Sequence, residues 1–115
     1  MLKIAREDKH YSVELFQVNR LNTLFSELVK KQLQELVEEP GASVIFNLEG
    51  IRFIDTAGFK VLQDITEYAK RFGSQFKLCN LTDDVRELIM LTELEGSFDV
   101  CTCEPIEEKI LMVLD

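Results

Sequence analysis

The chain has 115 residues, 46% hydrophobic and 30% charged, which bounds it to one globular domain, 1–115, with enough core to fold without staples and no disordered composition. Its formal net charge of −8 argues against nonspecific binding to nucleic acid or to an anionic membrane, because phosphate contacts need Lys and Arg; direct membrane insertion is not expected either. No apolar run reaches the ~20 residues of a membrane helix, the start MLKIARED has no signal-peptide core, and three Cys without a CxxC pair fit a reduced, cytoplasmic setting.

Leu2 and Ile4 alternate with Lys3 and Ala5, and Tyr11, Val13 and Leu15 alternate with Ser12, Glu14 and Phe16. Two strands around a polar turn at 7–10 predict an antiparallel hairpin. Residues 18–21 read as a loop. Asn22 or Thr23 then caps a helix whose apolar stripe is Leu24, Phe25, Leu28, Val29, Leu33, Leu36 and Val37. The run Glu38-Glu39-Pro40-Gly41 stops it.

The stretch 44–73 organises the rest. Val44-Ile45-Phe46 and Leu48 form a near-continuous apolar run, the pattern of a strand in a parallel sheet. Ile51, Phe53 and Ile54 bring the chain back toward the core. After Asp55-Thr56-Ala57-Gly58 the period becomes helical, with Val61, Leu62, Ile65, Ala69 and Phe72 on one stripe and Gly73 placed to end the helix. Asp55 or Thr56 can cap its start.

Phe76, Leu78 and Asn80 predict another strand, and Thr82 caps a helix opened by Asp83 and Asp84, where negative charge suits the dipole. A turn at Gly96-Ser97 precedes a short strand, 98–101. Pro105 fits the first turn of a last helix, with Ile106, Ile110, Val113 and Leu114 inward. The expected fold class is therefore α/β: a single domain with a mixed, mostly parallel sheet and an N-terminal antiparallel hairpin, in the order β-β-α-β-α-β-α-β-α.

Motifs for chemistry are sparse. His10 is the only His, which leaves Ser or Cys nucleophiles without a base. Cys79, Cys101 and Cys103 lack a fourth ligand at zinc spacing. No glycine-rich nucleotide loop is present. Glu7-Asp8, Asp55, Thr82 and Lys109 echo a phosphoacceptor receiver domain. However, the first run is too polar for a central strand, no helix separates the first two strands, and Asp55 opens straight into a helix. The expectation is a protein that is no enzyme and has no metal or cofactor.

What remains is the Asp55–Gly58 turn at a helix mouth. At about 100° per residue, Phe59 lies roughly 110° from the centre of the apolar stripe, beside Gln63, Thr66 and Lys70. That position predicts an off-core aromatic that touches another molecule.

The run VIFNLEGIRFIDTAGFKVL, residues 44–62, resembles the signature of STAS domains, the bacterial anti-sigma factor antagonist family, which typically reads L-x-x-V-x-F-I-D-[ST]-S-G-L-x-x-L. Leu21-Asn22 before the first helix, the passage 77–88, and Leu91-Thr92-Glu93-Leu94 (similar to the family's L-T-G-L) extend the resemblance over essentially the whole chain. The resemblance implies a STAS fold and a protein–protein switch in transcription signalling: binding to an anti-sigma factor, often a serine-kinase-type ATPase. It also implies a phosphoacceptor Ser two residues after the motif Asp. Here that position is Ala57, and Thr56 is the only hydroxyl in the turn. Three readings follow: an antagonist that the usual phosphorylation cannot switch off, Thr56 as the acceptor, or a subunit similar to the STAS component of phospholipid-transport ABC systems, which holds an ABC ATPase. The expected partner surface is Asp55, Thr56, Ala57, Gly58, Phe59, Lys60 and Gln63, flanked by Arg20, Asn22 and Thr23, with Phe59 as its hot spot.

Overall fold

The computed structural model describes residues 2–101 and 109–114. The chain opens with strands β1, Leu2–Glu7, and β2, His10–Leu15, joined by a two-residue turn in which Asp8 takes φ +54°. Such turns match the twist of the strands they join. Leu2, Ile4, Tyr11, Val13 and Leu15 are buried while the residues between them are not, as the alternation predicts.

A two-residue strand β3, Arg20–Leu21, leads to helix α1, Ser26–Val37. The cap expected at Asn22 or Thr23 comes later: the helix starts at Ser26 and has no side-chain cap, and the Asn22 carbonyl accepts from the N–H groups of Phe25 and Ser26. Strand β4, Ser43–Asn47, and the short β5, Phe53–Ile54, precede α2, Thr56–Arg71. Gly73, at φ +69°, closes α2: its N–H donates to Lys70 O and the Ser74 N–H donates to Ala69 O, the two bonds of a left-handed helix stop. Strand β6, Gln75–Cys79, helix α3, Asp83–Leu91, and strand β7, Val100–Cys101, follow. Thr82 caps α3 by accepting from Val85 N–H.

With the C-terminal strand β8, Lys109–Leu114, the main sheet runs β7-β6-β4-β2-β1-β8. The β2–β4, β4–β6 and β6–β7 ladders are parallel and β1–β2 is antiparallel. A separate parallel pair joins β3 to β5. The expected α/β class and mixed, mostly parallel sheet are therefore present. The core is built on Val13, Phe46, Phe76 and Leu78 of the sheet and on Val29, Leu33, Leu62 and Ile65 of α1 and α2.

One element differs in kind. Residues 109–114, expected in a last helix, form strand β8, Lys109–Leu114, antiparallel to β1. Pro105 and Ile106 of that expectation lie outside the described residues. Ile-Leu-Met-Val-Leu is an unbroken apolar run, which periodicity alone does not assign to helix or strand. Pairing decides it, because β1 would otherwise present an open edge. With β8 beside it, β1 is an inner strand of the sheet.

Candidate functional site

The site grows from the β3–β5 pair. Arg20 lies beside Phe53 and Leu21 beside Ile54, and the Asp55 N–H donates to Leu21 O. This delivers Asp55 to the mouth of α2, where it, and not Thr56, is the cap: its Oδ1 accepts from the Gly58 N–H at 2.8 Å. Its Oδ2 accepts from the backbone N–H of Thr23 at 2.9 Å and from the Thr23 hydroxyl at 3.0 Å. One carboxylate thus clasps the loop before α1 to the first turn of α2. Burial pushes the Asp55 carboxyl up, but hydrogen bonds from Gly58, Thr23 and Ala57 outweigh it and hold the group below the usual carboxylate range.

Gly58 is required by a close approach. A Cβ there would sit 2.7 Å from Leu21 O and 2.8 Å from Ile54 Cγ2, so the absence of a side chain lets α2 seat against β3 and β5. Around the clasp, Thr56 is exposed, Ala57 and Asn22 are half-buried, and Arg20, Thr23 and Lys60 are exposed. Gln63, half-buried, lines a polar groove with Lys60 and Lys70. Asp64 takes Lys60 Nζ on one oxygen and Lys30 Nζ on the other, each at 3.1 Å, which straps α1 to α2. Burial raises the Asp64 pKa, and the two lysines more than reverse it.

The structure overturns the expectation for Phe59. It is 5% exposed, and its ring stacks on Phe98 at 6.4 Å between centroids and 23° between planes. The apolar stripe assumed one neighbour for α2, whereas α2 is also packed on the flank that carries Phe98. Thr66 is buried on that flank too and donates its hydroxyl to Leu62 O. Phe59 is a core residue.

The apolar side chain at the rim is Leu24, which the helical stripe had placed inside. It is 88% exposed. Because α1 begins only at Ser26 and the clasp fixes Thr23, residues 22–25 turn instead of coiling, with Asn22 Oδ1 accepting from the Leu24 N–H at 3.0 Å. Leu24 borders an open groove of about 590 Å³ with Phe25, Val18, Asn19 and Arg20. The signal available in the sequence was Asn22-Thr23 itself: polar residues that bond backbone or a distant carboxylate delay a helix.

No group of three or more His, Cys, Asp or Glu gathers for a metal ion among the described residues, and no helix among them is long and apolar enough to cross a membrane. The rim offers a short, rigid, mixed polar and apolar surface: Leu24, Thr56, Ala57 and Lys60 around a satisfied carboxylate. Such a surface suits contact with another macromolecule.

The chain is similar in fold to an anti-sigma-factor antagonist (STAS) domain protein from Planctomyces limnophilus, with a TM-score of 0.77, 15% identity, and 90% and 91% of the two chains covered. It is similar to the anti-sigma factor antagonist SpoIIAA of Bacillus in its unphosphorylated form, with a TM-score of 0.72, 16% identity, and 93% and 91% covered. It is also similar to part of murine Solute Carrier 26 family member A9, an anion transporter, with a TM-score of 0.65 and 17% identity; there it covers 85% of this chain but 20% of the transporter. At these identities the likeness establishes the fold alone. The STAS domain family model matches residues 13–110, most of the chain, and the chain therefore belongs to the STAS domain family.

Proposed function

We propose that this protein is an anti-sigma factor antagonist-like regulator that acts in the cytoplasm by reversible protein binding, with no catalysis of its own. Its partner is an anti-sigma factor of the serine-kinase ATPase type, held by the rim of Leu24, Thr56, Ala57, Lys60 and Gln63, with Arg20, Asn22 and Thr23 beside it. The supporting observation is the clasp: Thr23 and Gly58 share the Asp55 carboxylate, which orders a rim carrying one almost fully exposed leucine. Preorganising a contact surface lowers the ordering cost of binding. Ala57 at the family's usual phosphoacceptor position keeps this rim in the unphosphorylated form.

The test is binding of the purified chain to candidate partners, measured by calorimetry: an ATPase-type anti-sigma kinase and an ABC ATPase subunit. The proposal expects affinity for the first and a loss of ~1–3 kcal/mol in the Leu24→Ala variant. Binding only to the ABC ATPase would transfer the chain to the transport reading. Unchanged affinity in Leu24→Ala would remove the rim as the contact surface.

A second reading rests on Thr56. It is exposed, and Asp55 rather than Thr56 supplies the cap, so its hydroxyl is not committed to that role. A phosphate there would stand at the positive end of the α2 dipole and add about −1.5 to −2 charge to the rim. Incubation with a cognate kinase and ATP, followed by phosphosite mapping, distinguishes a modified Thr56 from an inert one.

A further inference from the structure

Helix α3 presents a second surface. Leu91 is 71% and Met90 61% exposed at its C-terminal end, with Phe53 on one side and Val100 on the other, both about half exposed. These are four of the six large apolar side chains most exposed in the described structure, gathered along one helix. The crest separates two grooves, one of about 210 Å³ bounded by Phe53, Leu88 and Leu91 and one of about 290 Å³ bounded by Met90, Phe98 and Val100. Clustered exposed apolar side chains of this kind mark interaction surfaces.

The charges around the crest are one-sided. Asp83, Glu87, Glu93, Glu95 and Asp99 are all exposed, while Arg52 is already paired with Asp84 at 2.9 Å, leaving Arg86 as the opposing cation on α3. Glu93 is informative in another way. It occupies the left-handed stop of α3 at φ +58°, with its own N–H on Met90 O and the Leu94 N–H on Ile89 O. Glycine is favoured there, yet the chain carries a carboxylate at the edge of the apolar crest.

We propose that this face of α3 is a docking site for a cationic amphipathic helix of another protein, whose apolar side chains straddle the Met90–Leu91 crest and whose Lys and Arg meet the surrounding carboxylates. Charge selects this occupant over a second copy: each copy would bring the same acidic ring to the contact, and like charges face to face oppose association. The face adjoins the rim at Phe53, whose strand partner is Arg20, and the Thr82 hydroxyl donates to Ile51 O at 2.6 Å, which ties the start of α3 to the loop that leads into β5.

The test titrates the full chain with a 14-residue Leu/Lys peptide whose leucines recur at helical spacing, followed by methyl-resolved NMR. The controls are the same residues shuffled and the same pattern with Glu in place of Lys. The expected result is saturable shifts largest at the Met90 and Leu91 methyls, with weaker binding of the shuffled peptide and none of the Glu peptide. The Met90→Ala/Leu91→Ala double variant should bind about tenfold more weakly, and Glu87→Gln/Glu95→Gln about threefold more weakly with a flatter salt dependence. Both are surface changes, and an unchanged melting temperature verifies that they fold. Shifts centred on the rim, or equal affinity for the shuffled peptide, would overturn the proposal. So would a dimer of the chain alone, seen by sedimentation and lost in the double variant, because the occupant would then be a second copy.

Discussion

Thr23 gives both its backbone N–H and its hydroxyl to one oxygen of Asp55, at 2.9 and 3.0 Å, while the other oxygen takes the Gly58 N–H at 2.8 Å. The loop before α1 and the first turn of α2 are thereby one unit. Asp55→Ala removes a helix cap and a tertiary link together, and should lower stability by about 1–2 kcal/mol in urea denaturation. Amide exchange at Thr23 should accelerate alongside. If Thr23 keeps its protection in that variant, the loop is held by something other than the clasp.

The same carboxylate carries a pH dependence. Burial raises the Asp55 pKa, and the hydrogen bonds from Gly58, Thr23 and Ala57 bring it below its ordinary value. A folded pKa below the unfolded one, about 3.9 for Asp, means that the stabilisation is full above that value and is lost as pH falls through the folded pKa. The stability gap between the native sequence and Asp55→Asn should therefore be constant from pH 7 to about 5 and shrink below about pH 4. A gap that widens on acidification would contradict the assignment of Asp55 as an ionised acceptor.

Gly58→Ala probes how α2 is seated. The new Cβ would meet Leu21 O at 2.7 Å and Ile54 Cγ2 at 2.8 Å. A backbone oxygen in a paired strand has little room to retreat, so the variant should lose about 1–3 kcal/mol from overpacking, despite the better helix propensity of alanine. Thermal denaturation decides the sign: a gain in melting temperature would mean that the strand moves freely.

The chain order of strands and helices was legible because most elements carry a clear period of 2 or 3.6, and the cap at Asp55 and the stop at Gly73 follow from local chemistry. The errors share one cause. Residues 109–114 lack a period, so their partner β1 sets their conformation. Leu24 fits a helical stripe, but Thr23 is drawn away by a carboxylate 32 residues distant. Phe59 falls outside the α2 stripe, but Phe98 from the far end of the chain covers it. In each case a contact remote in sequence decided what the local pattern did not.

Phe59 and Leu24 consequently exchange the burial that the sequence suggested. Phe59→Ala opens a cavity beneath α2 and forfeits the stack on Phe98, a loss of about 3–5 kcal/mol in folding stability. Leu24→Ala removes a side chain that is 88% exposed and should change stability by less than about 0.5 kcal/mol. Parallel denaturation curves of the two variants make the comparison, and equal stabilities would reverse the burial assignment.

The stop of α3 places a side chain where the stop of α2 has a glycine. At α2 the left-handed position after the cap is Gly73, at φ +69°; at α3 the same two hydrogen bonds close around Glu93, at φ +58°. An L residue with a Cβ pays roughly 1–2 kcal/mol for that conformation, and glycine does not. Glycine also adds freedom to the unfolded chain, which offsets part of the gain. Glu93→Gly should therefore raise stability by about 0.5–1 kcal/mol and leave the fold unchanged. If Glu93 also belongs to the acidic ring of a docking face, the more stable variant should bind the Leu/Lys peptide less well. A variant that is both more stable and equally avid would leave Glu93 as backbone strain with no part in binding, whereas a less stable one would show that the Glu93 side chain itself holds the end of α3.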